Sequence, residues 1–154
     1  MARILIVGCG GRGRALAREL AGAGHAVRGT TRDEANFAAI ADAGAEPYLG
    51  DPDRIMTLMD ALAATTVVAW LMGTADNREL HAGRLRMLTE KIVDTPVRGL
   101  LYEAVGPWCE EGEMIARAAR ATWNIPLQVV HTDPGDCDAW LRDTAAAVET
   151  LLEG

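Results

Sequence analysis

The stretch Arg3-Ile4-Leu5-Ile6-Val7-Gly8-Cys9-Gly10-Gly11-Arg12-Gly13-Arg14-Ala15-Leu16 decides how this chain is read. Four consecutive apolar side chains follow Arg3 and stop at a glycine. An apolar run this short, bounded by glycine, reads as a strand buried on both faces. The periodicity then changes. Gly13, Leu16, Ala17 and Leu20 recur at helical spacing, with Arg14 and Arg18 on another face. Gly22 and Gly24 supply the backbone freedom that ends a helix, placing its stop near Ala21 to Gly24. The stretch is therefore a strand, a tight turn and an amphipathic helix.

The same alternation runs outward to the end of the sequence. Further strands are predicted at His25 to Thr30, Glu46 to Leu49, Thr66 to Met72, Arg98 to Ala104 and Leu127 to His131. Helices are predicted at Asp33 to Ala43, Asp53 to Ala63, Asn77 to Val93, Glu110 to Trp123 and Asp138 to Leu152. Leu85, Leu88 and Ile92 form one apolar stripe, and Leu141, Val148 and Leu152 another; both are assigned to the core. Six βα units joined by right-handed crossovers imply an α/β fold of three layers. This is a doubly wound parallel six-stranded sheet of Rossmann type, with expected strand order 3-2-1-4-5-6. Nothing in the sequence reads as a linker or repeat, so residues 1–154 are expected to form one domain.

Composition narrows the function. The hydrophobic content of 49% suffices for a buried core. A net charge of -7 argues against nucleic acid as a partner, because phosphate tracking needs a basic footprint. No run of about 18 apolar residues exists to span a membrane. The apolar N-terminal run meets a glycine turn too soon for a signal peptide. Three cysteines, Cys9, Cys109 and Cys137, show no paired spacing, which fits reduced thiols in a cytoplasmic protein. Neither they nor His25, His81 and His131 have the spacing of a metal site.

The pattern Gly8-x-Gly10-x-x-Gly13 acquires meaning from its place between a buried strand and a helix. Gly8 permits the turn, Gly10 and Gly11 let a ligand approach the backbone, and Gly13 allows close helix–strand packing. The amides and dipole of the following helix favour a pyrophosphate. The expected ligand is a dinucleotide. The residues after the second strand bear on which one. Thr31 and Arg32 come first, and Arg12 in the turn is expected to approach the same pocket; guanidinium groups suit the 2′-phosphate of NADP. Asp33 is placed either to hold the ribose of NAD or to cap the next helix. The balance favours NADP, with NAD as the alternative.

These residues also carry a family resemblance. Arg3 to Gly10, Ala15 to Leu20 and Gly24 to Arg32 resemble the extended and atypical short-chain dehydrogenase/reductase superfamily, especially its epimerase-like and NmrA-like branches. The resemblance implies that Asp51, in the Gly50-Asp51 pair, contacts the adenine amino group. It also implies that Leu71 and Gly73 line the ribose side of the cofactor. Two features depart from that family. Its tyrosine and lysine, four residues apart, are absent: the tyrosines are Tyr48 and Tyr102 and the one lysine is Lys91. The sequence also stops after the sixth βα unit, where extended members continue into a substrate-binding lobe.

Candidates for chemistry at the carboxyl edge of the sheet are Tyr102, Glu103 and His131. Both Tyr102, as packing, and His131, as a loop histidine bonded to its neighbours, have structural readings too. The superfamily's small flavin and biliverdin reductases also lack the pair and have a histidine after the sixth strand, as His131 is here. His81 is expected to be solvated near Asp76 and Arg78, and Cys9 to be a small buried filler. Trp108 and Trp140 lie near helix starts, where they either face a ligand or a partner subunit or are buried in the core. Two functions follow. One is a small NADPH-dependent oxidoreductase with a small-molecule acceptor, its cleft open or completed in a homodimer. The other is a non-enzymatic module that senses the dinucleotide.

Overall fold

The computed structural model describes residues 2–154. Six strands form one parallel sheet: β1 Arg3–Val7, β2 Ala26–Thr31, β3 Glu46–Leu49, β4 Val67–Trp70, β5 Leu100–Glu103 and β6 Leu127–Val130. Their spatial order is β3-β2-β1-β4-β5-β6. The chain reverses direction across the sheet between β1 and β4, where Ile4 pairs with Val67 and Val7 with Trp70. Open α/β sheets leave a crevice at such a switch point, outside the carboxyl ends of the strands.

The side chains of each strand alternate between two cores. Leu5, Val7, Val68, Trp70, Leu100 and Tyr102 face α3 (Met59–Leu62), α4 (Gly83–Ile92) and α5 (Cys109–Trp123). Ile4, Ile6, Val67, Ala69 and Leu101 face α1 (Gly11–Gly22), α2 (Phe37–Asp42) and α6 (Cys137–Glu153). Both faces are covered, which is why the central strands read as unbroken apolar runs. Each fully buried Leu or Ile contributes about 1.5–3 kcal/mol.

Three predicted helices are divided. The first turns at Glu34–Asn36, Ile55–Leu58 and Arg78–His81 are 3₁₀ windings that precede α2, α3 and α4. In the last of these, Asn77 Oδ1 accepts from Glu79 N–H, and Ala82 leaves helical geometry at φ -131 and ψ -107. The break turns His81 inward. The expectation that His81 is solvated is therefore corrected: it is wholly buried. Strands β4 and β5 are shorter than predicted because the chain turns out at Gly73 and Gly106. Gly106 has φ +88, and a Cβ there would overlap the carbonyl oxygen of Gly73. The loops after β4 and β5 thus touch.

Candidate functional site

The glycine turn shows a steric division of labour. Gly8 sits at φ +91, and a Cβ on it would overlap Met72 Cε and lie 2.8 Å from Leu71 O. Its amide donates to Thr30 Oγ1 at 3.1 Å, tying the turn to β2. A Cβ at Gly13 would lie 2.8 Å from Gly8 O and 3.2 Å from Ile6 Cγ2, so the absence of a side chain sets how closely α1 approaches β1. Gly10 and Gly11 differ: a Cβ on either would meet nothing within 4 Å. They present open backbone to the groove.

No side chain caps α1, and no acid stands in its first turn. Among the described residues, the amides of Gly11, Arg12 and Gly13 have no partner. A helix start in this state carries partial positive charge and free donors, which suits an anion. Cys9 fills the space between this turn and Gly29, where an added Cβ would lie 2.9 Å from Cys9 Cβ. Burial pushes the Cys9 thiol up to about 11, so it stays protonated at neutral pH, as a small filler does.

Two adjoining cavities line the carboxyl edge, sharing Ala75 and Asp76. The first, about 790 Å³, runs from Gly8 and Gly10 past Thr31 and Arg32 to Asp51. It also takes in Arg14 and Asn36, which the sequence reading left out. Arg14 stands one helical turn after Gly10, a periodicity that could have signalled a shared face. Arg14 and Arg32 have no ion-pair partner among the described residues. Asp33 caps the Glu34–Asn36 turn, its Oδ1 accepting from Ala35 N–H at 2.9 Å. Thr31 Oγ1 accepts from Asn36 Nδ2 at 3.0 Å. Asp51 Oδ1 accepts from Asp53 N–H at 2.9 Å. Leu71 is buried, with its carbonyl beneath Gly8.

Arg12 departs from its expected place. Its guanidinium turns away from Arg32 and grips Glu103, with NH2 to Oε1 at 2.7 Å and Nε to Oε2 at 3.2 Å. A third donor reaches Thr74 Oγ1 at 3.1 Å, and the group sits 5.5 Å from the Trp140 ring. Glu103 has no solvent exposure and also accepts from Gly73 N–H at 2.9 Å and from Trp140 Nε1 at 2.8 Å. This network joins α1, the loop after β4, β5 and α6 at the switch point. A bidentate pair with added donors is the geometry that offsets burial of a charge. The Arg12 side chain is thereby removed from a 2′-phosphate contact. Glu103 is a structural anchor, and Trp140 belongs to the core.

The second cavity, about 640 Å³, is lined by residues that include Gly73, Asp76, Trp108, His131 and Asp133. His131 is exposed there, with Nε2 2.7 Å from Glu113 Oε1. Hydrogen bonds from His131 and Arg117 hold the Glu113 carboxyl below its usual value. Tyr102 does not reach this cavity. It is fully buried, and its hydroxyl donates to His81 Nδ1 at 2.5 Å. His81 Nε2–H in turn donates to Met72 O at 2.9 Å. Burial lowers the His81 pKa, so the ring is neutral, and burial raises that of Tyr102. A hydroxyl so enclosed is no acid for a bound substrate, which corrects its candidacy.

Sheet order, glycine turn and groove together define an NAD(P)-binding Rossmann domain. The TrkA-N domain family matches residues 4–90, more than half of the sequence. The chain belongs to that family. The likeness to reductases and epimerases lies in the fold. A Citrobacter sp. triphenylmethane reductase complexed with NADP(H) is 20% identical, with TM-score 0.66 over 82% of this chain and 48% of that one. A putative NAD-dependent epimerase/dehydratase from Bacillus halodurans is 16% identical, with TM-score 0.70 over 85% and 70%. A UDP-glucuronic acid 4-epimerase mutant from Bacillus cereus, in complex with a fluorinated UDP-glucuronic acid and NAD, is 13% identical, with TM-score 0.64 over 82% and 55%. The chain spans about half the length of the first three solved proteins it matches. No curated protein sequence matches it. Among the described residues, no helix is long and apolar enough to cross a membrane.

Proposed function

We propose that the chain binds NADP(H) along the carboxyl edge of its sheet and acts as a small NADPH-dependent oxidoreductase. The observation that carries the cofactor reading is the pairing pattern after β2. Asp33, the carboxylate that an NAD site would use, engages its Oδ1 with the Ala35 N–H as a helix cap. Arg32 and Arg14 border the same cavity without carboxylate partners. An acidic side chain free to hold a ribose 2′-hydroxyl is the signature of NAD, and free arginine that of a 2′-phosphate.

The residues present fit such a group. Gly10 and Gly11 leave room for a pyrophosphate at the backbone, and the first amides of α1 supply donors. Asp51 and Thr31 would hold the adenosine half, and Gly73 borders the cavity on the nicotinamide side. When bound, the reduced cofactor supplies a hydride. The protein would orient the cofactor and hold an acceptor in the adjoining 640 Å³ cavity.

Calorimetric titration with NADPH, NADP, NADH and NAD tests this reading. NADPH is expected to bind at least about tenfold tighter than NADH, the difference expected of one guanidinium–phosphate pair. Arg32→Ala should remove most of that preference and leave NADH nearly unchanged. Equal losses for both cofactors would refute the 2′-phosphate contact. Absence of binding for all four below millimolar concentration would refute the function.

A further inference from the structure

We propose that Glu113, on α5, is the positioning residue of His131, and that His131 donates the proton to a carbonyl acceptor held in the second cavity. The inference rests on the dinucleotide reading above and deepens it. The acceptor is one whose oxygen takes a proton while its carbon takes the hydride.

The pair is assembled at the ends of two neighbouring strands. His131 directly follows β6, and α5 packs against both β5 and β6. Ala104 N–H donates to Val130 O at 2.8 Å, which ties the residue before the histidine to the loop after β5. The segment beyond it is pinned as well. Thr132 Oγ1 donates to Asp143 Oδ2 at 2.5 Å, and Asp133 Oδ1 accepts from Gly135 N–H at 2.8 Å. An exposed ring on a fixed backbone still rotates unless a contact holds it. Glu113 provides that contact, with Oε1 2.7 Å from His131 Nε2. The carboxylate is held in turn from its other side, where Arg117 Nε donates to Oε2 at 2.8 Å, one turn along α5. Arg117, Glu113 and His131 thus form a chain in which each group is oriented by the one behind it, as proton-transfer sites require.

The two ring nitrogens then have different tasks. Nε2–H donates to the carboxylate, which fixes the tautomer. Nδ1 has no partner among the described residues. His131 lines the cavity that adjoins the dinucleotide groove at Ala75 and Asp76. Of the side-chain types lining it, imidazole is the one that ordinarily exchanges a proton near neutral pH, and no lysine, cysteine or tyrosine is there. The Glu113 carboxyl, held below its usual value by His131 and Arg117, stays ionised where an imidazole takes up a proton, and so stabilises the charged ring. Stability does not explain the pair: His131 is 61% exposed, and exposed ion pairs contribute little.

The step balances without a further reactant. The hydride of the reduced dinucleotide forms a C–H bond at the carbonyl carbon, and the C=O π pair moves onto the oxygen. That oxygen takes the proton from Nδ1 of the imidazolium, so an O–H bond forms as the N–H bond breaks. The products are an alcohol, the oxidised dinucleotide and a neutral imidazole, which regains its proton from solvent.

The test uses the intact chain, NADPH and two carbonyl probes, para-nitrobenzaldehyde and isatin. His131→Ala is expected to lower kcat by about 100-fold, and added imidazole to restore part of the loss. Glu113→Gln keeps an oxygen for the ring N–H and removes the charge. It should lower kcat by about tenfold and leave KM for the carbonyl within about twofold. The double variant should be no slower than His131→Ala alone, because a residue that acts only through the histidine costs nothing once the histidine is gone. NADPH affinity, measured by calorimetry, should be the same in all three variants, which also reports an intact fold.

Additive losses in the double variant would overturn the positioning role of Glu113. Full kcat in His131→Ala, or a loss that imidazole does not restore, would overturn the proton donor. So would the absence of reduction of either probe by the wild-type chain with NADPH bound. If NADPH does not bind the wild-type chain, the proposed function falls and this inference with it. If NADPH binds and any of the other results appears, only this inference falls.

Discussion

At one end of the carboxyl edge, α1 begins with glycines, two arginines and no acid; at the other, α5 and α6 begin with Glu110, Glu111, Asp136 and Asp138. All three helices direct the positive end of their dipole to the same edge of the sheet. They differ in what the chain itself has placed there. The amides of α1 lack capping partners and its Arg14 has no ion-pair partner, whereas Asp136 accepts from Ala139 N–H at 3.3 Å and satisfies the start of α6. A helix start becomes an anion site only where the sequence withholds its own carboxylates. The two ends of one groove therefore differ in what their helix starts offer a ligand: free amides beside Arg14 at one, and amides already met by the chain's own carboxylates at the other.

Arg12 stands at the boundary, and removing it is expected to have the largest effect. Arg12→Ala leaves the Glu103 side chain buried, with only the Gly73 and Trp140 donors. Loss of one partner of such a pair costs about 3 kcal/mol, the low end of the range because Arg12 is a quarter exposed. Thermal denaturation should show Tm lowered by roughly 6–12 °C. A change within about 1 °C would mean that the two ends are not held together by this pair.

Gly10→Ala probes the anion end alone. The added methyl meets no protein atom within 4 Å, so Tm should stay within about 2 °C. Binding of NADPH should fall by about 100-fold, because the methyl occupies the backbone approach. Gly13→Ala should do the reverse in stability, costing about 1–3 kcal/mol by pushing α1 away from Gly8 O. If both variants behaved alike, the division of the turn into open and packed glycines would be wrong.

The smallest expected effect lies beneath the second cavity, at His81 behind Trp108. Burial holds the His81 pKa below its ordinary 6.5, so the unfolded chain takes up this proton before the folded one does. Stability should be level above about 6.5 and fall as the pH drops from there toward the folded value. The contribution of Glu113, whose carboxyl is held low by His131 and Arg117, is lost at lower pH, below about 4.5. Urea midpoints measured across that range separate the two. A midpoint that rises as the pH falls through 6.5 would contradict the buried, neutral ring.

Much of the fold was legible because it rests on local signals. Arg3–Val7 is a strand with the predicted bounds, and the glycine turn opens α1 where expected. The sheet order matches its expectation, since right-handed crossovers leave few alternatives. Helix starts were less legible. The apolar period of Asn77 to Val93 continues across Ala82, but the backbone does not, because His81 is drawn inward by two hydrogen bonds. The pairing of Arg12 with Glu103 spans 91 residues, and no local pattern announces it.

The sequence by itself determined the six βα units, the parallel sheet and the turn at Gly8 to Gly13, because each depends on periodicity and on residues that permit special backbone geometry. Only the tertiary structure decided which charges remain available. It sent Arg12 to Glu103, left Arg14 and Arg32 facing one cavity, and enclosed Tyr102 against His81. The reason is physical: a side chain's charge or hydroxyl is usable only if no nearer partner claims it, and those partners come from distant parts of the chain.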